Sequence, residues 1–400
     1  SQHQLPQKQM NILFLTPWYP HKNAPYSGTF VREHARAIQY AGNDLHVMAV
    51  VINSSSKIFN YKTHSYIDED GIKTTIVNLS SKFNDILYYN FPVQLFYLLK
   101  TIRRLNKQKH LQFDIVHSNV VYPIGVLGYF ISKKLKIPHV ITEHWSRIKR
   151  IMKLPVYAQL CRKAYTTSGA ILPVSNFLKQ NIQSHLKSID PDKFQVVGNV
   201  INNDTFKFVA SPKRKDKNIR FTAIATWNKK KIPDKLPKLF IDALAIISNR
   251  SGIDVQLTMI GSGNQINDLK SKCKQHQVKA VFTGFIEKTR IAEILQYHTD
   301  FFIHASTIET FSVVTAEALS CGVPVICSDV GALSELVDAS NGVLCKNTVE
   351  DWVKGIEKAI ATTYDGLKIS QTMKDRFSYK SIGKQVEQVY IKITSNNKNI

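Results

Sequence analysis

The amino-acid sequence predicts an α/β fold of two Rossmann-like, doubly wound domains facing a central cleft. Three observations predict it. The chain has 400 residues, more than one hydrophobic core ordinarily organises and enough for two. Short apolar runs alternate with amphipathic helical stretches, as parallel strands do when crossover helices cover both faces of their sheet. That alternation stops after Asn202 in a polar segment, basic over residues 213–220, and then begins again.

The elements follow in order. Residues 11–16 (NILFLT) are a short apolar run and the expected first strand. A loop containing Pro17, Pro20, Pro25 and Gly28 leads to an amphipathic helix over residues 30–40, which ends at Gly42. Further strands are expected at 45–52, 114–117, 139–142 and 170–174, with helices at 92–107 and 125–135. After the break, strands are expected at 221–226, 255–260, 280–283, 301–304 and 323–328. Helices are expected at 236–247, 265–276, 289–297, 313–320 and 349–362. The predicted domains are residues 1–202 and 203–377. A last helical pattern at 378–393, within residues 378–400, crosses back to the first domain. Ligands of such sheets bind beyond the carboxyl ends of the strands, which places the cleft there.

Composition limits the function classes. Apolar content of 44%, with 17 Gly and 14 Pro, describes a globular chain rather than a disordered one. The longest apolar stretch, residues 120–131, is broken by Pro123, Gly125 and Gly128 and is too short to span a membrane. Residues 1–9 are polar and lack the basic flank and apolar core of a secretory leader. They read as a tag remnant or disordered start before Met10. The five cysteines (Cys161, Cys273, Cys321, Cys327 and Cys345) show no CxxC spacing, and an odd count without a leader predicts reduced thiols in a cytoplasm.

The formal charge is +23, and residues 1–200 carry 25 Lys and Arg against 10 Asp and Glu. The excess clusters at Arg103, Arg104, Lys107 and Lys109, at Lys133, Lys134 and Lys136, and at Arg147, Lys149, Arg150 and Lys153. Nucleic acid, an anionic membrane surface and phosphorylated substrates all suit such charge, beside a plain solvated surface.

The chemistry concentrates between Phe301 and Asp329. Glu309 falls in the loop after the strand FFIH, and Glu317 falls about one turn into a helix that starts near Ser312 and stops at Gly322. Backbone amides of Phe311, Ser312, Val313 and Val314 would form the exposed helix N-terminus, where unpaired N–H groups and the dipole attract phosphate. An anion site flanked by two carboxylates suits a sugar joined to a diphosphate. The plain alternatives are a solvated helix face for Glu317 and a loop charge for Glu309.

The stretch from Glu309 to Glu317, followed by ALSCGVPVICSDVGALSELV, resembles the signature of glycosyltransferase family 4, retaining enzymes of the GT-B fold. The likeness runs along nearly the whole chain. MNILFLTPWYP, SGTFVREHARAI, FDIVHSN, HVITEHW, AILPVSNFLKQNI, VVGNVINNDTF, MIGSGNQINDL and VFTGFIEKTRIAEIL follow in the family's order. The resemblance implies transfer of a sugar from a UDP- or GDP-sugar to a glycan or lipid-linked acceptor, as in bacterial surface polysaccharide synthesis. By matching position, Glu309 would hydrogen-bond the donor-sugar hydroxyls, and Glu317 the ribose hydroxyls. The amides of Phe311, Ser312 and Val313 would meet the sugar and phosphates. His144, in the TEH turn, matches a histidine near the transferred sugar; the plain reading is a satisfied histidine at a strand end. Gly28 matches a flexible loop by the phosphates and acceptor, where Gly allows close backbone approach. The turn at Gly261 and Gly263 is a weaker match, and Gly284, Phe285 and Ile286 would border the nucleobase.

Two departures from the family's pattern stand out. Family members usually carry Gly-Arg after the second domain's first strand and a Lys a few residues later, both gripping the diphosphate. Counting back from FIDAL puts that Lys at Lys235, but no Arg occurs between Trp227 and Lys230. Lys229, Lys230 or Lys231 would replace the charge, with Lys230 assigned to the diphosphate beside Lys235, although Lys cannot reproduce a bidentate guanidinium. Thr310 and Ser312 stand where glycines normally follow the first glutamate, and their side chains narrow the pocket.

Charge dictates the expected mechanism. A departing nucleoside diphosphate carries negative charge and leaves an oxocarbenium-like sugar, so lysines and a helix N-terminus stabilise it without a metal. Retention fits attack on the face the diphosphate leaves, with no protein nucleophile. No cofactor or metal is expected; the nucleotide sugar is a substrate. Competing readings are a same-fold nucleotide-sugar epimerase or sugar phosphorylase, a nucleotide-binding oxidoreductase, and a basic nucleic-acid-binding protein. The oxidoreductase reading lacks G-x-G-x-x-G spacing with a later acidic residue, and the last rests on charge with no recognised module. The expectation is a cytoplasmic enzyme, peripheral on the inner face of the plasma membrane at an anionic surface, with no nucleic-acid partner.

Overall fold

A computed structural model describes residues 9–22, 24–109, 112–145, 148–210, 218–231 and 234–396. The expectations placed on residues 1–8, on most of the basic stretch 213–220, on Arg147 and on the side chains of Lys109 and Lys149 lie outside the described residues. Two compact units form, residues 1–200 with 379–400 and residues 201–378.

The first unit is a seven-stranded sheet of β1 (Asn11–Thr16), β2 (Asp44–Ser54), β3 (Asn60–Ile67), β4 (Lys73–Ser81), β5 (Ile115–Asn119), β6 (His139–Glu143) and β7 (Ala170–Pro173). Its order is β3-β4-β2-β1-β5-β6-β7. Only β3 is antiparallel, to β4; the rest pair in parallel. Helices cover both faces, so β5 and β6 are buried at every residue and β1 nearly so. The apolar-run reading passes over β3 and β4. β3 (NYKTHSYI) is a half-exposed edge strand, so it carries polar side chains that an edge tolerates and a central strand does not. The helix Tyr379–Asn396 belongs to this unit. Its Tyr390 is fully buried, with its hydroxyl 2.5 Å from Nδ1 of His117 on β5. Its Gly383 lies so close to the helix Thr29–Tyr40 that a Cβ would sit 2.3 Å from the Ala37 carbonyl oxygen.

The second unit is a six-stranded parallel sheet of β8 (Ile219–Ile224), β9 (Val255–Ile260), β10 (Lys279–Gly284), β11 (Phe301–His304), β12 (Val325–Ser328) and β13 (Gly342–Cys345). Its order is β10-β9-β8-β11-β12-β13, with Phe221, Phe240, Leu257, Ile303, Ile326 and Trp352 in its core. β8 ends two residues before its expected end at 226. Ala225 and Trp227 leave the strand to lie against the glycine turn, where a Cβ on Gly261 would be 1.9 Å from the Ala225 oxygen. A Cβ on Gly263 would be 2.1 Å from the Trp227 oxygen. Both glycines have positive φ, so this turn requires glycine for backbone approach.

Each sheet reverses its strand order once, between β1 and β5 and between β8 and β11. Such a reversal opens a crevice beyond the strand carboxyl ends. Lys235 follows β8 and Glu309 follows β11; Gly28 follows β1 and Asn119 ends β5. Lys235 and Glu309 thus lie at the switch point of the second sheet and Gly28 at that of the first, whereas His144 follows β6 and Gly284 ends the edge strand β10. Among the described residues, no helix is long and apolar enough to cross a membrane, and the five cysteines are buried and unpaired.

Candidate active site

In the second unit, the loops after β8 and β11 are zipped together. Leu236 N–H donates to the Ala305 oxygen at 2.9 Å, and Thr307 N–H donates to the Asp234 oxygen at 3.0 Å. This pairing carries the Lys235 ammonium onto the carboxylate of Glu309. His304, the last residue of β11, lies with Nε2 2.7 Å from the same oxygen, Oε1. The loop is held from a third side by Ala332 N–H, which donates to the Glu309 backbone oxygen at 2.9 Å. Gly331, at φ +56°, approaches so closely that a Cβ would be 2.1 Å from that oxygen.

The Glu309 side chain is only 12% exposed. Burial opposes its ionised form, but the His304 contact and the Lys235 cation outweigh burial and pull its pKa down to about 2. Burial, then the adjacent Lys235 cation, hold His304 below the usual imidazole range. A neutral ring therefore donates its Nε2–H to an ionised carboxylate. Glu309 is not a solvated loop charge.

Nor is Glu317 on a solvated helix face. It is 4% exposed and accepts from the Lys288 ammonium at 2.6 Å. The helix Val313–Ser320 buries every residue from Thr315 to Ser320, so its carboxylate enters the interior with a cation beside it. Ser312 takes the left-handed conformation, φ +71° and ψ +78°, as N-cap of this helix, a backbone that favours glycine. Its hydroxyl lies 2.8 Å from that of Thr315 rather than capping an amide. Val313 opens the helix, while the Phe311 ring is buried edge-on against Phe377 at 5.1 Å.

The other candidates of this unit make different contacts. Lys230 pairs with Asp234, and Lys229 with Asp268 at 2.7 Å, both lysines about half exposed. The structure thus brings Lys235 to Glu309 and leaves Lys230 on its neighbour. Gly284, at φ +70°, accepts from Gly261 N–H at 2.9 Å. Phe285 beside it is 51% exposed and Ile286 half-buried.

In the first unit, Gly28 is left-handed at the start of the helix Thr29–Tyr40, and a Cβ there would be 2.4 Å from the Trp18 carbonyl. His144 follows β6. Its Nε2–H donates to Asn119 Oδ1 at 3.2 Å, and its ring meets Phe30 edge-on at 4.9 Å and His34 at 5.4 Å. Burial, then neighbouring His34 and His117, push His144 well below the usual imidazole range, so it is neutral. Glu143 sets its backbone. The buried carboxylate accepts N–H groups of Val121 at 2.9 Å, His144 at 3.1 Å and Trp145 at 3.0 Å, and the Tyr165 hydroxyl at 2.9 Å.

His304, Lys288, Glu143 and Asn119 were not singled out from the sequence. His304 offered a signal, since it ends the strand five residues before Glu309. Lys288 offered none, because its partner is 29 residues away. Among the described residues, no group of three His, Cys, Asp or Glu side chains is placed to hold a metal ion.

Comparison with known proteins identifies the family and the fold. Residues 27–205 match the family model described as Glycosyltransferase Family 4, and residues 206–376 match that of Glycosyl transferases group 1. An uncharacterized glycosyltransferase of Methanocaldococcus jannaschii is 24% identical over 87% of this chain and 94% of its own length. The alpha-monoglucosyldiacylglycerol synthase of Streptococcus pneumoniae is 26% identical over 74% of this chain and 70% of its own. The structure of Anabaena HepE in complex with UDP superposes with a TM-score of 0.70 at 17% identity, covering 95% of this chain and 99% of that one. The two family models meet at the boundary between residues 205 and 206 and together span β2 to β13, leaving β1 outside the match. The chain belongs to glycosyltransferase family 4, and it is a glycosyltransferase of GT-B fold.

Proposed function

We propose that this enzyme moves a sugar from a UDP- or GDP-sugar to a glycan or lipid-linked acceptor, with retention of anomeric configuration, in bacterial surface polysaccharide synthesis. The observation that carries the reading is the ionised, buried Glu309 at the switch point of the second sheet. Both its neighbours, Lys235 and His304, meet Oε1, which leaves Oε2 to accept from a sugar hydroxyl. Lys235 and the first-turn amides at Val313 then stabilise the negative charge that grows on the departing diphosphate. Glu317 accepts from the ribose hydroxyls, sharing them with Lys288. The neutral His144 contributes a hydrogen bond to the transferred sugar, not a charge. The acceptor attacks on the face the diphosphate leaves, and no protein nucleophile, metal or cofactor is assigned.

The relatives support the substrate classes. The pneumococcal relative is named for a glucosylated diacylglycerol, and the Anabaena structure contains UDP. A cytoplasmic location fits the five buried, unpaired thiols. Thermal unfolding with UDP-, GDP- and ADP-sugars tests the reading. The true donor at a hundred times its Kd should add about 2.7 kcal/mol of stability. No rise with any of them would reject a nucleotide-sugar donor.

A further inference from the structure

Far along the chain from the catalytic loops, the first unit carries a second surface of unusual composition. Residues 83–97 contain Phe83, Tyr88, Tyr89, Phe91, Phe96 and Tyr97, six aromatics in fifteen positions. A water-facing surface would ordinarily hide such side chains. Instead Phe83 is 51%, Ile86 65% and Phe96 59% exposed. Ile58, in a turn tied to this segment by Lys82 N–H donating to the Lys57 oxygen at 2.8 Å, is 71% exposed. Phe83, Ile86 and Phe96 line a groove of about 580 Å³ together with Phe59, Leu87 and Val93.

Cations are dense along the same segment. Residues 82–109 contain Lys82, Lys100, Arg103, Arg104, Lys107 and Lys109 against Asp85 as the sole acid. On the helix Phe91–Lys109 the exposed residues Pro92, Phe96, Lys100, Arg103 and Lys107 recur every three or four positions, which puts them on one face. That face is apolar at its start and cationic toward its end. The Lys82 ammonium sits 4.9 Å from the centre of the Phe83 ring, and Lys100 sits 5.9 Å from that of Tyr97.

We infer that this face docks on an anionic lipid bilayer, with Ile58, Phe83, Ile86 and Phe96 entering the interface and Lys82, Lys100, Arg103 and Lys107 meeting the headgroups. Protruding aliphatic and aromatic side chains beside cations match both parts of such an interface, its acyl boundary and its negative surface. The docking deepens the proposed reading, on which it rests for its purpose: it would bring the enzyme to the surface that holds a lipid-linked acceptor.

Sedimentation of the full chain with phosphatidylcholine vesicles, with and without phosphatidylglycerol, tests it. The wild type should sediment only with phosphatidylglycerol and be released as salt rises. Lys100→Gln/Arg103→Gln/Lys107→Gln should weaken partitioning roughly a hundredfold, from about fivefold per cation. Ile86→Asp/Phe96→Asp should weaken it at least about tenfold, since each places a charge where apolar contact is needed. Both variants alter exposed positions and should keep the wild-type melting temperature and its rise with nucleotide, so loss of docking is read separately from loss of donor binding. Equal sedimentation with neutral vesicles would overturn the inference. So would unchanged partitioning of the Asp variant, or a dimer in sedimentation velocity that the Asp variant abolishes while vesicle binding persists.

Discussion

Glu309→Gln keeps the shape of the side chain and removes its charge, so it isolates the interaction with Lys235 and His304. In the folded chain this carboxyl ionises near 2 instead of the ordinary 4.5. That difference corresponds to roughly 3 kcal/mol of folding stability, at about 1.4 kcal/mol for each pH unit. The folded value is the depressed one. The stabilisation is therefore complete above about pH 4.5, where the unfolded carboxyl is ionised too, and is lost as pH falls toward about 2. At pH 3 about 2 kcal/mol of it should be gone, because the unfolded carboxyl is then almost fully protonated while the folded one is still mostly ionised. The remaining carboxylates titrate alike in wild type and variant, so the difference between the two proteins reports on Glu309 together with His304, whose protonation is coupled to it. Urea unfolding followed by tryptophan emission suits the measurement, since Trp227 and Trp352 are both buried in this unit. The stability gap should narrow by about 2 kcal/mol from pH 7 to pH 3. A gap that stays constant over that range would refute the ion-pair account of Glu309.

Two further substitutions test the supports of each unit. Gly331→Ala places a Cβ 2.1 Å from the Glu309 backbone oxygen at a positive φ, so the catalytic loop must move by about 1 Å; transfer should fall about a hundredfold, and wild-type turnover would show that this contact does not hold the loop. Tyr390→Phe removes the partner of His117 Nδ1 in the fully buried contact between the last helix and β5. It should cost about 1–3 kcal/mol in urea unfolding, and faster amide exchange over residues 379–396 should accompany it; unchanged stability would mean that the hydroxyl adds nothing.

Strands β1, β9 and β11 lie where apolar runs put them, because a parallel strand covered on both faces tolerates few polar residues. β3 escapes the same reading because its edge position admits Lys62, His64 and Ser65. The end of β8 was misplaced for a different reason. Nothing in Ala225 or Trp227 announces that the backbone of Gly261 and Gly263 will press on them from more than thirty residues away. Counting along the chain from the family's pattern singles out Lys235, whereas the pairing of Lys229 with Asp268 and of Lys230 with Asp234 depends on acidic partners that counting does not weigh. Ser312 was legible as a missing glycine, and its left-handed backbone is the physical reason glycine suits that place.

What the amino-acid order determines by itself is the two-fold alternation of strands and helices, the loop position of Glu309 after a strand, and the helical position of Glu317. These depend on neighbours along the chain. Only the tertiary structure decides that Glu309 is a buried anion between His304 and a lysine 74 residues away, and that Glu317 is buried against Lys288 rather than solvated. Burial and charge pairing are set by groups that the parallel sheet gathers from distant positions, and those distances cannot be read from residue spacing.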